Sequence, residues 1–113
     1  MFPKGRKTEL MPVTVIATLH AHDGKQNEVL QAISEAAAEI HSEPGCLKYA
    51  PHRSGRGRVV IVESWQDKEA LDAHAKGPRF AALSERFGAL LSQPPEILLA
   101  TPEPVGDATR GAL

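Results

Sequence analysis

The chain contains a single cysteine, Cys46, among its 113 residues. One thiol cannot form an internal disulfide, and within one chain it cannot build a metal site that needs several cysteines. This usage is typical of a protein in a reducing compartment. Because Cys46 follows a Pro-Gly pair and has no cation beside it in the sequence, we interpret it as a small apolar residue.

The sequence also lacks an excess of charge and a long apolar run. Its 13 basic and 14 acidic residues leave a net charge of −1, which gives no electrostatic case for nucleic acid or a membrane as the main partner. No segment approaches the roughly 18 apolar residues of a membrane span. The opening residues 1–11 lack the apolar segment of a secretory signal. We therefore expect a cytoplasmic protein.

Aromatic residues are scarce, at 4% of the chain. All but Phe2 fall between positions 49 and 87, so an aromatic-lined pocket has to form from that segment. The remaining composition, with 42% hydrophobic and 24% charged residues, is typical of an ordinary globular domain.

The hydrophobic pattern predicts one folded domain over residues 12–101. Residues 1–11 and 102–113 are rich in Pro and Gly and show no periodicity, which predicts a flexible N-terminal arm and a flexible C-terminal tail. Four strands are predicted, at 13–20, 46–52, 58–65 and 96–100. The first helix is predicted from an Asp23 N-cap, with Gln26 completing a capping box, to about Ser42. A second helix follows an Asp67 N-cap and breaks at Gly77-Pro78.

The order βαββαβ predicts an α+β, ferredoxin-like fold with a four-stranded antiparallel sheet and both helices on one face. The segment 59–62, Val-Val-Ile-Val, is apolar on both faces of any strand it forms. An antiparallel sheet with one wet face would alternate polar and apolar residues instead. We therefore predict that a second copy covers the other face, giving a homodimer with a dry cavity between its layers.

Several short segments, in order, carry a family resemblance: Asp23-Gly24-Lys25, residues 43–49 (EPGCLKY), residues 63–67 (ESWQD), residues 70–74 (ALDAH) and residues 77–80 (GPRF). With these segments the chain resembles the antibiotic biosynthesis monooxygenase domain family, which includes quinol monooxygenases of the dimeric α/β-barrel superfamily. The resemblance extends from about Val13 to Thr101.

The resemblance implies a monooxygenase that oxidises a quinol, an anthrone or a similar electron-rich phenol with dioxygen. It implies no flavin, haem or metal, because the substrate anion itself passes an electron to dioxygen. The expected partners are a small aromatic substrate, dioxygen and a second copy of the chain. Haem-degrading members of the superfamily use a Trp, a His on the second helix and an Asn on the first strand, but Val13 to Leu19 contain no Asn.

Glu63 and Trp65 are candidate catalytic residues. They are two positions apart on a strand and share a face, about 7 Å from each other. Glu63 could serve as a base or orient a histidine, and Trp65 could stack on a flat substrate and donate its indole N–H. Alternatively, Trp65 is plain core, and Glu63 pairs with an arginine of the hairpin (Arg53, Arg56 or Arg58).

His74 is the third catalytic candidate, as the base for a phenolic proton. The alternative is a half-buried histidine bonded to a backbone carbonyl. Tyr49, Phe80, Leu83 and Phe87 are candidate substrate-binding walls, although the helical spacing of the last three is also typical of core packing.

Two other interpretations of the function stay open at this point. On the same scaffold, His74 could move a proton in an isomerase or lyase acting on a small carbonyl compound. The domain could also be a non-catalytic dimeric module that binds a small ligand.

His20 and His22 alternate at a strand end, but that pair alone is weak support for a metal site, and we predict no bound metal.

Overall fold

The computed structural model describes residues 12–113 and shows an α+β fold. A four-stranded sheet carries three helices on one face. The strands are β1 (Val13–His20), β2 (Cys46–Ser54), β3 (Arg58–Trp65) and β4 (Glu96–Ala100). The helices are α1 (Gln26–His41), α2 (Lys68–Ala75) and α3 (Pro78–Leu90).

The sheet has the strand order β2-β3-β1-β4, and all neighbouring strands are antiparallel. The two strands that each precede a helix, β1 and β3, therefore lie side by side in the centre. This is the ferredoxin-like arrangement predicted from the sequence. The strand bounds also agree with the prediction, except that β2 extends two residues further, to Ser54.

The two faces of the sheet differ in how they are covered. Val15, Leu19, Val59 and Ile61 point toward the helices and are buried. On the other face, one row crosses all four strands through Ala50, Val62, Ile16 and Leu98. No helix of residues 12–113 covers this row, and Leu98 at its end is 61% exposed.

The first helix does not begin as predicted. It starts at Gln26 with Lys25 as its N-cap and no side-chain cap, so the predicted Asp23 cap and capping box are wrong. The Gln26 amide instead donates to the carbonyls of Gly55 and Arg58 in the β2–β3 hairpin. A tertiary contact has taken the side chain that the local pattern assigned to capping.

The predictions for the second helical region are confirmed. The Asp67 carboxylate accepts a hydrogen bond from the backbone N–H of Ala70, at 2.8 Å, and so caps α2. The Gly77-Pro78 pair divides the region into two helices. Gly77 is extended and Pro78 is the first residue of α3, the position where its missing N–H costs nothing.

The predicted N-terminal arm, residues 1–11, lies outside the described residues. Beyond β4 the chain forms no further strand or helix, but one turn closes through a hydrogen bond from the Val105 N–H to the Gly111 carbonyl. In the part of the chain described here, no helix combines the length and the apolar character needed to cross a membrane.

A tight turn at residues 43–46 connects α1 to β2. The Cys46 N–H donates to the Glu43 carbonyl at 3.1 Å, and Gly45 has a φ of +79°. With Pro44 second and Gly45 third, this is the sequence and geometry of a type II turn. A Cβ at Gly45 would lie 2.5 Å from the Ala70 Cβ, so the turn packs directly on α2.

This close packing predicts different costs for two glycine substitutions. Gly24 has a similar φ of +75° but no atom within 4 Å of its would-be Cβ. Gly24→Ala should therefore lower the free energy of unfolding by only the backbone cost, about 1–2 kcal/mol. Gly45→Ala should add an overpacking cost and lose about 2–4 kcal/mol. Urea unfolding of both variants measures the difference, and equal losses would show that the turn does not pack tightly on α2.

Candidate functional site

A cavity of about 230 Å³ lies between α3 and the helix-facing side of the sheet. It is formed within one chain. Most of its wall is apolar, and it contains a few polar groups, which is typical of a small-molecule site. The lining residues are Ala17, Leu19, Tyr49, Ile61, Glu63, His74, Phe80, Leu83, Ser84, Phe87, Pro95 and Ile97.

His74, near the end of α2, is the central polar residue of this wall. Its side chain is only 4% exposed, and its Nδ1 lies 2.6 Å from Oε1 of Glu43. A carboxylate can only accept a hydrogen bond, so Nδ1–H is the donor and Nε2 is left without a proton in the neutral ring. No described residue hydrogen-bonds to Nε2. The bond to Glu43 replaces the backbone-carbonyl contact considered from the sequence.

Aromatic rings hold the His74 imidazole on several sides. Its ring stacks on the Trp65 indole, with the centroids 4.6 Å apart and the planes at 29°. Tyr49 and Phe80 meet it edge-on, at 5.9 Å and 5.4 Å. These contacts fix the plane of the ring, and the bond to Glu43 fixes its rotation within that plane.

Trp65 lies behind His74 and not in the cavity wall. It is fully buried, and its indole N–H donates to Oε1 of Glu63 at 2.9 Å. A direct stack of Trp65 on a bound substrate, as the sequence suggested, would require His74 to move aside. Trp65 stacks on His74 and is bonded to Glu63, and both of these residues line the cavity.

Glu63 is a buried carboxyl group in the cavity wall. Burial raises its pKa, the Trp65 N–H and the charge of a protonated His74 partly oppose that rise, and Glu43 adds to it. Among the described residues its carboxylate is bonded to Trp65 and to none of the hairpin arginines, so the alternative pairing with those arginines is wrong.

The four predicted wall residues, Tyr49, Phe80, Leu83 and Phe87, all line the cavity. Burial, and then the nearby carboxylates Glu63 and Glu43, raise the pKa of the Tyr49 phenol well above its ordinary value, so it stays protonated as a donor. The helical stripe of Phe80, Leu83 and Phe87 is therefore also one side of the cavity wall.

Sequence reasoning missed Glu43 and several wall residues. Glu43 entered the sequence analysis only as the first residue of the segment 43–49 that carries the resemblance, and not as a candidate site residue. Ser84, Pro95 and Ile97 gave no signal, because only the packing of α3 and β4 brings them beside the aromatic residues.

The described residues contain no group of three or more His, Cys, Asp or Glu side chains suited to a metal ion. His20 instead bonds to the carboxylate of Glu96 on the neighbouring strand, at 2.8 Å. Cys46 remains a free thiol, whose pKa burial raises, with Glu43 and Glu63 adding to the rise.

Comparison with known proteins gives a consistent family. Residues 12–86 match the family described as antibiotic biosynthesis monooxygenase. Protein Rv0793 of Mycobacterium tuberculosis is 25% identical over 92 residues, which cover 80% of this chain and 91% of the relative. Its solved structure agrees with this fold at a TM-score of 0.75, with 24% identity over 86% of this chain and 98% of that one.

Two further similar proteins are named for different activities. A mycobilin-producing haem oxygenase of Mycobacterium tuberculosis is 31% identical over 74 residues, covering 64% of this chain and 70% of its own. A solved antibiotic biosynthesis monooxygenase matches with 28% identity and a TM-score of 0.71, covering 78% of this chain and 95% of that one. The match over residues 12–86 covers more than half of the chain, and the fold agrees with it: the chain belongs to the antibiotic biosynthesis monooxygenase family.

Proposed function

We propose that this protein is a cofactor-independent monooxygenase that oxidises a quinol or a related electron-rich phenol with dioxygen. The observation that supports this most directly is the buried His74, bonded to Glu43 through Nδ1 and bordering an apolar cavity. Such a ring is arranged to take a proton at Nε2 from a substrate bound against the apolar wall.

Deprotonation is the step for which the protein is equipped. Histidine is the usual base for a phenolic proton near neutral pH. The Glu43 carboxylate balances the positive charge that forms on the imidazole. The Trp65 face beneath the ring adds a cation–π attraction.

The electrons come from the substrate, so the reaction balances without a cofactor. His74 removes a phenolic proton, and the anion gives one electron to dioxygen. The resulting radical and superoxide form a C–O bond at a ring carbon, and His74 returns the proton to the outer peroxide oxygen. Cleavage of the O–O bond with loss of the ring C–H proton gives a carbonyl and water. The sum is quinol plus dioxygen to hydroxyquinone plus water.

Glu63 and Tyr49 are suited to binding substrate oxygens. The burial that raises the pKa of Glu63 favours its protonated form, which can donate a hydrogen bond. The Tyr49 phenol is a second donor on the same wall. Phe80, Leu83 and Phe87 then provide apolar contact for the substrate ring.

The size of the cavity favours a small substrate. An apolar cavity of about 150 Å³ holds one benzene ring. A volume of about 230 Å³ therefore suits one or two fused rings, and favours a quinol over a three-ring anthrone. The first strand also lacks the Asn of the haem-degrading members, which argues against haem as the substrate despite the haem-oxygenase relative.

We also propose that the protein is a homodimer. The uncovered row through Val62, Ile16 and Leu98 is apolar, and two such faces can pack about 10 Å apart. Exposed apolar patches larger than a few hundred Å² are rare in monomers. Dimer formation would cover the sheet face opposite the cavity and hold the β1 and β4 walls of each site in place.

Oxygen uptake with a reduced naphthoquinol tests the proposed reaction. We expect uptake well above autoxidation without added metal or flavin, and ¹⁸O₂ should place one labelled atom in the product and one in water. His74→Ala should lower kcat at least about 100-fold, because it removes the base. His22→Ala, at an exposed histidine, is the matched control and should leave the rate unchanged.

Wild-type rates no faster than autoxidation would refute the oxygenase. Turnover of a carbonyl substrate without oxygen would favour the isomerase or lyase instead. A Soret shift on hemin titration that His74→Ala abolishes would favour haem as the ligand of this site.

A single added charge tests the dimer. Leu98→Lys places a cation on the uncovered face, whereas Leu99→Lys places one on the helix side of the same strand, where Leu99 is 57% exposed. By light scattering we expect wild type and Leu99→Lys at twice the 12.2 kDa mass of the chain, and Leu98→Lys at that mass itself. A folded wild-type particle near 12.2 kDa at micromolar concentration would rule the dimer out.

A further inference from the structure

We propose that Glu43 is a positioning residue, which holds His74 in the Nδ1–H tautomer and directs Nε2 toward the cavity. The consequence for catalysis rests on the proposed function, but the tautomer itself does not. Glu43 is absent from the cavity wall, and its hydrogen bond reaches the cavity through His74.

The contact has the geometry and burial of a strong, charge-assisted hydrogen bond. Nδ1 of His74 and Oε1 of Glu43 are 2.6 Å apart, and the two side chains are 4% and 12% exposed. Hydrogen bonds to an ionised carboxylate are shorter and stronger than neutral ones. Which ring nitrogen of a histidine carries the proton is set by the partner of the other nitrogen. Glu43 is the only described side chain hydrogen-bonded to this ring.

Glu43 can hold the His74 ring in place because hydrogen bonds fix its own backbone at both the N–H and the carbonyl. Its N–H donates to the Ile40 carbonyl at 3.0 Å, and its carbonyl accepts from the Cys46 N–H at 3.1 Å. The Gly45 carbonyl accepts from the Gln66 N–H at 2.8 Å, which ties the turn to the end of β3. The turn is therefore attached to α1 and to the strand that carries Trp65.

The same turn is fitted to the helix that carries His74. Gly45 packs against Ala70, and Ala70 precedes His74 by four residues, which is one turn of α2. A bulkier residue at position 45 would push the turn away from α2 and move the Glu43 carboxylate off Nδ1. Glu43, Pro44 and Gly45 thus act together. The turn sets the distance between the Glu43 carboxylate and His74, and the carboxylate accepts the hydrogen bond from Nδ1–H.

The alternative is a purely structural bond that joins the turn to α2 and has no effect on the base. The two roles differ in what they predict for the ring nitrogens. A positioning role requires a specific tautomer in the folded protein, whereas a structural bond requires only that the protein fold.

Nitrogen-15 NMR of labelled protein at neutral pH measures the tautomer directly. We expect His74 to show the Nδ1–H signature, unlike the exposed His22. Glu43→Ala should shift His74 away from this tautomer, and Glu43→Gln should keep it, because the amide oxygen can still accept from Nδ1–H. Glu39→Gln is the matched control, since Glu39 lies four residues earlier, near the end of α1, is exposed and pairs with Arg79 rather than His74; it should leave the signature unchanged.

An Nε2–H signature for His74 in the wild type would overturn the inference, and this measurement needs no variant to fold. An unchanged His74 signature in folded Glu43→Ala would overturn it as well.

Kinetics with the naphthoquinol provide the second readout. Glu43→Ala should lower kcat about 10- to 100-fold with little change in KM, because the substrate still binds but meets a misdirected base. Glu43→Gln should fall between wild type and Glu43→Ala, since it aligns the ring without balancing its charge. Wild-type kcat in Glu43→Ala would contradict the inference. If the wild type shows no turnover, the proposed function fails, and the NMR result alone decides the role of Glu43.

Discussion

An imidazole buried in an apolar cavity must have its N–H satisfied, and in this protein the Glu43 carboxylate satisfies it. The contact joins residues 31 positions apart, so it exists only if the turn after α1 and the end of α2 are brought together. The turn at 43–46, the glycine against Ala70 and the Asp67 cap of α2 all serve that approach. The site therefore depends on the packing of the turn at 43–46 against α2.

The few aromatic residues of the chain are concentrated on this ring. Trp65, Tyr49 and Phe80 each contact the His74 imidazole, from β3, β2 and α3 respectively. The break at Gly77-Pro78 permits this, because it lets α3 leave the direction of α2 and bring Phe80 back toward His74. The hollow that remains under α3 is the cavity. Although aromatic residues make up only 4% of the chain, three of them surround His74.

Local patterns were sufficient to predict the strands and the break between α2 and α3. Alternation set the bounds of β1, short apolar runs beside Gly or Pro set those of β3 and β4, and Gly77-Pro78 divided the helices, because these signals depend only on neighbouring residues. The start of α1 was wrong because a long-range contact of Gln26 with the hairpin competed with the local capping pattern. Of the site, the sequence identified residues with suitable chemistry, such as His74 and Glu63, but each had a structural alternative. Glu43 was missed because its partner, His74, lies 31 positions away in the sequence.

The central claim is that His74 directs Nε2 at a phenol bound in the cavity under α3. A crystal structure with a redox-inert naphthol tests it most directly. The account predicts the rings between Phe80, Leu83 and the sheet, with the hydroxyl oxygen within about 3.2 Å of Nε2. Naphthol bound elsewhere on the protein, or bound in the cavity with its hydroxyl turned away from His74, would contradict it.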